Sequence, residues 1–177
     1  MLIRPLEPSD SLEEMTRLLH RAYARLGAMG LNYTAVSQTP ETTAQRLRGG
    51  ACFVAESEGR LVGTVVVHRP PAGSPCAYFT RDSVATLRQL GVDPLYHGKG
   101  IGGLLLASCE AWAREAGFSE LALDTAEPAR HLLETYERWG FRRVGTVQWD
   151  GKVYRSIVLA KTLTPGPSPQ PATLDTP

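Results

Sequence analysis

The chain has 177 residues, of which 42% are apolar and 21% charged, with a formal net charge of +1. That is long enough for one domain with a full core, too short for two of ordinary size, and too evenly charged to carry a nucleic-acid or anionic-membrane footprint. Three widely spaced cysteines, Cys52, Cys76 and Cys109, include no C-x-x-C pair, which argues against a disulfide framework or a metal site and fits a reducing compartment.

The opening "MLIRPLEPSD" places Arg4 and two prolines where a signal peptide would carry its apolar run, and no apolar stretch approaches the ~20 residues that span a bilayer. A soluble, cytoplasmic protein is expected. Residues 1–5 suit a short strand. Ser11 and Glu14 form an S-x-x-E capping box for a helix from Leu12 to Leu26, with Met15, Leu18, Leu19, Ala22 and Leu26 on its apolar face. Thr39-Pro40-Glu41 opens a second helix that runs to Arg48. "ACFVAES" and "RLVGTVVVH", joined by Glu58-Gly59, read as a hairpin. Residues 69–83 are Pro- and Gly-rich and read as loop, followed by a strand over 84–92.

From Gly100 apolar residues recur at helical spacing, and Gly117 ends that helix. "FSELALDT" reads as a strand, Pro128 to Trp139 as a helix, and 142–149 and 152–163 as strands around Asp150-Gly151, a strong two-residue hairpin signal. The domain is expected to span 1–163. The tail 164–177, "TPGPSPQPATLDTP", is Pro-rich without apolar periodicity and is expected to be disordered. The order β-α-α-β-β-β-α-β-α-β-β implies a mixed α/β fold, a sheet with helices on its faces.

Between strand and helix lies "LGVDPLYHGKGIGGLLL", residues 90–106. Gly98, Gly100 and Gly103 match G-x-G-x-x-G, and Asp124 follows at the distance of a ribose-binding acid. The dinucleotide fingerprint belongs in a tight turn directly after its strand, however, and here residues 93–97 intervene. A P-loop fails because Gly100, not Ser or Thr, follows Lys99. What remains is a glycine loop leading into a helix N-terminus, where bare amides and the helix dipole suit an anion such as a pyrophosphate.

The same segment resembles the acetyl-CoA-binding motif of the GCN5-related N-acetyltransferases (GNAT family), Arg/Gln-x-x-Gly-x-Gly/Ala. "LALDTAEPARHLLETYERWGFRRVG" resembles the L-x-L…Tyr-x-x-x-Gly-Phe segment of that family, here Tyr136 through Gly140-Phe141. His97 stands where Arg or Gln is usual, and Ala129 where many members carry an Asn that touches the cofactor. The resemblance covers residues 2–162. It implies the GNAT fold, a mostly antiparallel sheet of six to seven strands with a central splayed parallel pair and helices on both faces.

It also implies acetyl-CoA as cofactor and direct attack by an amine, of a small molecule or peptide, in a ternary complex. A homodimer fits as well as a monomer. Cofactor contacts are then expected at Leu90, Gly91, Val92, His97, Gly98, Lys99, Gly100, Ile101, Gly102, Thr125 and Tyr136. The Val92 amide is expected to stabilise the oxyanion. Tyr136 is expected to protonate the departing thiolate, a phenol near pKa ~10 being close enough to a thiol near ~8.5. Glu56 is the base candidate, with Asp82 and Asp124 beside it. Tyr33, Tyr78, Phe79, Asp82, Trp149 and Tyr154 are expected to wall the acceptor site. Two other readings stay open: a non-catalytic acyl-CoA-binding module on the same fold, and the dinucleotide site.

Overall fold

The structure is a computed structural model and describes residues 1–69 and 73–164. The tail from 165, and residues 70–72 of the Pro-rich loop, lie outside the described residues. Helix α1 spans Leu12–Ala28; Ser11 caps it by accepting the Glu14 amide, and its apolar stripe buries Met15, Leu18, Leu19 and Leu26. Helix α2, Pro40–Leu47, starts as its Thr39-Pro40 signal requires, with the Thr39 hydroxyl accepting from the Thr42 amide. Helix α3 spans Ile101–Glu115 and α4 spans Arg130–Arg138.

Seven strands form one sheet: β1 (Leu2–Pro5), β2 (Gly50–Ser57), β3 (Arg60–His68), β4 (Val84–Val92), β5 (Glu120–Ala126), β6 (Arg142–Val147) and β7 (Ser156–Thr162), in the spatial order β1-β2-β3-β4-β5-β7-β6. Every pairing is antiparallel except β4–β5. Helices α3 and α4 cover one face, where Ile101, Leu105, Cys109, Leu133 and Tyr136 pack on Val65, Val67, Ala85, Leu87, Leu121, Leu123 and Leu159. On the other face α1 packs Met15, Leu18 and Leu19 on Val54 and Leu61. This is the mixed sheet with helices on both faces that the sequence implies.

Two turns are instructive. At the β2–β3 turn both Glu58 and Gly59 have positive φ, 52° and 73°, the backbone a two-residue type I′ hairpin demands. At Asp150-Gly151 only Gly151 does, at 70°, and the strands stop at Val147 and Ser156 instead of closing on the turn. The expected two-residue hairpin is therefore a longer loop, 148–155. Asn32 and Lys152 explain why: Asn32 donates to the Gly151 carbonyl and accepts from the Val153 amide, while Lys152 donates to the Asn32 carbonyl and to Thr34. The loop folds over a neighbouring segment, and those contacts replace ladder pairing.

Strand β4 carries a bulge. Thr64 of β3 opposes Gly91, but Val66 opposes Arg88, so two residues of β4 stand against one of β3. The bulge includes Gln89, at φ 55°. Gln89 Oε1 accepts from Gln38 Nε2 at 2.8 Å and from Arg46 Nε at 3.0 Å, fixing the distorted backbone from α2 and the segment before it.

Candidate active site

Strands β4 and β5 pair only over Val84–Thr86 and Glu120–Ala122. Beyond that, β4 continues beside β3 to Val92 and β5 beside β7 to Ala126, so the two parallel strands part at their C-terminal ends. A gap between parallel strands leaves unpaired backbone groups on both its edges, a natural seat for an extended ligand. Asp93 N–H donates to the Val62 carbonyl, so by antiparallel alternation the Val92 amide points away from β3 and into the gap. The Val92 carbonyl faces the same side, 3.1 Å from His97 Nε2. His97 thus sits against the strand end, and Tyr23 donates to the Leu90 carbonyl at 3.1 Å from α1.

The segment from Gly98 leads to the N-terminus of α3. Gly100 is the N-cap, with φ 75° and no side chain to cap the helix; Gly98 has φ 77°, and no acidic residue stands in the first turn. Among the described residues the amides of 98–103 find no protein acceptor. Bare amides, a 15-residue helix dipole behind them and no competing carboxylate fit a diphosphate. Lys99 supplies a charge nearby, its Nζ 4.7 Å above the Tyr96 ring. The glycines divide by cause. Gly98 and Gly100 are needed for positive φ, whereas a Cβ at Gly102 would lie 2.9 Å from the Trp139 ring and one at Gly103 would meet nothing. Gly102 thus serves helix packing. Gly102→Val is expected to lower stability by about 1–3 kcal/mol through overpacking, and Gly103→Ala to raise it by up to about 1 kcal/mol; urea unfolding of both checks this.

Tyr136 comes from α4 on the α3 side of the sheet, wedged edge-on against Trp139 and Phe141. Its ring is buried, yet its hydroxyl finds no partner among the described residues and is not a sealed, unsatisfied atom. Burial pushes its pKa up. It therefore keeps its proton throughout the neutral range, further from a thiol than its residue type alone suggests. The Thr125 hydroxyl is bonded to Tyr33, and Tyr33 also accepts the Ala126 amide, so Tyr33 caps the end of β5. Ala129 is fully buried with Leu26, Leu31 and Tyr154, as a packing residue at the start of α4.

On the opposite face of the gap a cavity of about 550 Å³ opens between α1, α2 and the 148–155 loop. Of the residues expected to wall an acceptor site, Tyr33, Phe79, Trp149 and Tyr154 line it, together with Tyr23. Asp124 projects into it from β5 and accepts from Trp149 Nε1 at 2.8 Å. Three expected residues are elsewhere. Glu56 lies on β2, two strands from the gap, ion-paired with Arg4 at 2.9 Å because Arg4 on β1 sits diagonally across from it. Asp82 is exposed before the paired end of β4, at the wrong end of the strand. Tyr78 turns from the cavity to donate to Glu120, a carboxylate that also holds Arg81 and Arg142. Phe79, one residue on, stays in the cavity wall. Of the acids considered for the base, only Asp124 faces the cavity.

Charged wall residues escape sequence reading altogether: Arg46 from α2, Arg88 from β4 and Lys152 from the last loop. Burial pulls the Arg46 and Lys152 pKa values down, and pulls Arg88 to about 10 with Arg46 adding to the fall. Beside them His68, 5% exposed, lies 3.5 Å from Thr86, and burial reinforced by Arg88 depresses its pKa to about 4. Below pH ~6.5 the unfolded chain binds a proton that the folded chain refuses, so stability falls as pH drops towards 4. Denaturant titrations at stepped pH are expected to show a loss of about 2–3 kcal/mol over that window, much reduced in His68→Gln.

Residues 12–141 match the model of the acetyltransferase (GNAT) family. The chain is 29% identical over 157 residues to S-(2-succino)cysteine N-acetyltransferase of Bacillus subtilis, covering 85% of this chain and 90% of that one. It is 36% identical over 97 residues to human N-acetyltransferase 8B, a match over 54% of this chain and 40% of the longer human protein. The fold superposes with a TM-score of 0.64 on a GNAT family acetyltransferase from Elizabethkingia anophelis with acetyl-CoA bound, at 18% identity over 92% of this chain and 97% of that one. Among the described residues no helix is long and apolar enough to cross a membrane, and no cluster of metal-binding side chains occurs. With a family match across most of its length, and a parted parallel strand pair facing a bare-amide helix start, the chain belongs to the GNAT acetyltransferase family.

Proposed function

We propose that the protein transfers an acetyl group from acetyl-CoA to a primary amine, with both held at once on either side of the β4–β5 gap. The observation that carries this reading is the run of unpartnered amides at 98–103, placed where β4 hands over to α3. Acetyl-CoA supplies, when bound, an acyl group already activated as a thioester.

The chain's own residues do the rest. The amides of 98–103, with Lys99, hold the diphosphate, and the parted strand ends at Leu90–Val92 and Thr125 border the pantetheine arm. The Val92 amide, aimed into the gap, donates to the carbonyl oxygen where negative charge gathers. Tyr136 donates to the departing sulfur from the α4 side. Asp124, in the cavity on the other face, takes a proton from the incoming ammonium, which at a pKa of ~10.4 is mostly charged at neutral pH. Holding two reactants in register replaces roughly 7–11 kcal/mol of barrier. Acetyl-CoA with a panel of amines, followed by thiol release and by mass spectrometry of the N-acetyl product, tests the reading. Calorimetry showing no binding of coenzyme A overturns it.

A further inference from the structure

The acceptor cavity is cationic to an unusual degree for a pocket that must receive an amine. Arg46, Arg88 and Lys152 line it against two carboxylates, Asp124 and the exposed Asp150. Among the described residues none of the three cations forms a salt bridge: Arg46 gives its Nε to Gln89, Lys152 its ammonium to Asn32 and Thr34, and the Arg88 guanidinium makes no hydrogen bond. Elsewhere in the described chain arginines are either paired, as in Arg4–Asp10, Arg21–Asp93 and Arg142–Glu120, or exposed, as at Arg17, Arg25 and Arg60. Two partly buried guanidinium groups, with Arg46 opposing the Arg88 charge and Asp124 offsetting it only in part, are costly unless a further anion joins them. Guanidinium is also the side chain best shaped to grip a carboxylate with two parallel hydrogen bonds.

We infer that the acceptor is an amino acid with a second carboxylate, its acid groups gripped by Arg88 and Arg46 and its amine directed to Asp124. The inference rests on the transferase reading and narrows it to one substrate class. Each charge on the wall then has a counterpart. Asp124, already oriented by Trp149, meets the amine at the gap, and the free guanidinium donors on α2 and β4 meet the carboxylates. Tyr23, Tyr33, Phe79 and Tyr154 enclose the carbon skeleton. A polyamine or aminoglycoside would bring further cations against Arg46 and Arg88, a repulsive arrangement that rejects it.

The test uses the full chain with saturating acetyl-CoA and three kinds of acceptor: glutamate and aspartate, alanine, and spermidine. Expected is a kcat/KM for the acidic amino acids at least about 10-fold above alanine, and negligible turnover of spermidine. Arg88→Met and Arg46→Met are each expected to cut kcat/KM for glutamate by about 10–100-fold, the range of a lost charge-assisted bond, with coenzyme A affinity by calorimetry unchanged. Independently of turnover, millimolar succinate is expected to raise the melting temperature of the wild type and not of Arg88→Met. Preference for spermidine, or arginine variants as active on glutamate as the wild type, overturns the inference and leaves the transferase reading standing. Tight coenzyme A binding without turnover of either acidic amino acid also overturns it alone. Failure to bind coenzyme A overturns both.

Discussion

Tyr136→Phe is expected to lower kcat by about 100-fold or more while leaving the dissociation constant of coenzyme A within about twofold. The magnitude is that of a positioned proton donor lost from the transition state. The specificity of the effect comes from the surroundings. Trp139 and Phe141 pack on the ring, and Phe preserves both contacts. The hydroxyl holds no protein partner among the described residues, so its removal orphans nothing, and unfolding free energy should change by under about 0.5 kcal/mol. Because burial raises the phenol pKa, the kcat profile should show no basic limb from Tyr136 in the neutral range. Stopped-flow thiol release and calorimetry on the same preparation decide the matter. Full activity in the variant would reduce Tyr136 to a packing residue. Loss of activity with intact binding separates an enzyme from a module that merely holds acyl-CoA.

Asp124→Asn carries the second large effect, a fall in kcat/KM of about 10²–10⁴-fold at neutral pH. Asn keeps the size of the side chain and an oxygen to accept the Trp149 indole, so the wall is conserved while the charge is lost. The diagnostic is the pH profile. If the carboxylate takes the proton of the ammonium, the deficit must shrink as pH rises towards the amine's own pKa of ~10.4, where free amine no longer needs help. Profiles of wild type and variant that stay parallel to high pH would remove Asp124 from the proton path and leave it as a binding group. Glu56 makes the matched control: its partner is Arg4 at the sheet edge, so Glu56→Gln should leave turnover unchanged.

What the sequence disclosed was mostly local chemistry. The Ser11 cap, the Thr39-Pro40 start, the Glu58-Gly59 turn and the Gly117 stop each depend on a few adjacent residues, and each appears in the structure. Boundaries moved where tertiary contacts decide them. The strand expected over 118–125 begins at Glu120 because Phe118 is drawn onto Trp112 and its amide bonds back to Ala113. Asp150-Gly151 carried the right turn residues, but nothing in them announces that Asn32, far away in the chain, holds the loop open. The glycine loop was legible as a candidate anion site because its signal is contiguous. The cations of the proposed acceptor wall were not. Arg46, Arg88 and Lys152 come from three separate elements, and each alone looks like an ordinary surface charge. Tyr78 and Phe79 show the limit plainly: adjacent aromatics in one loop, of which one goes to Glu120 and the other to the cavity.

The extra residue in β4 has a consequence for how one strand serves two tasks. Up to Arg88 the odd-numbered side chains, Ala85 and Leu87, pack towards α3, and the even ones, Thr86 and Arg88, line the cavity. Past Gln89 the phase inverts: Leu90 and Val92 join the α3 side, and a side chain at Gly91 would press on Ala22 of α1. An uninterrupted strand keeps one rhythm from end to end, so a guanidinium at 88 would be followed by side chains at 90 and 92 on that same face. On the proposed reading, the inverted phase gives the first half of the strand to recognising an acid and the second half to a dry wall beside the thioester. Deleting one residue at the bulge would restore the ordinary rhythm and force the strand to surrender one of those duties.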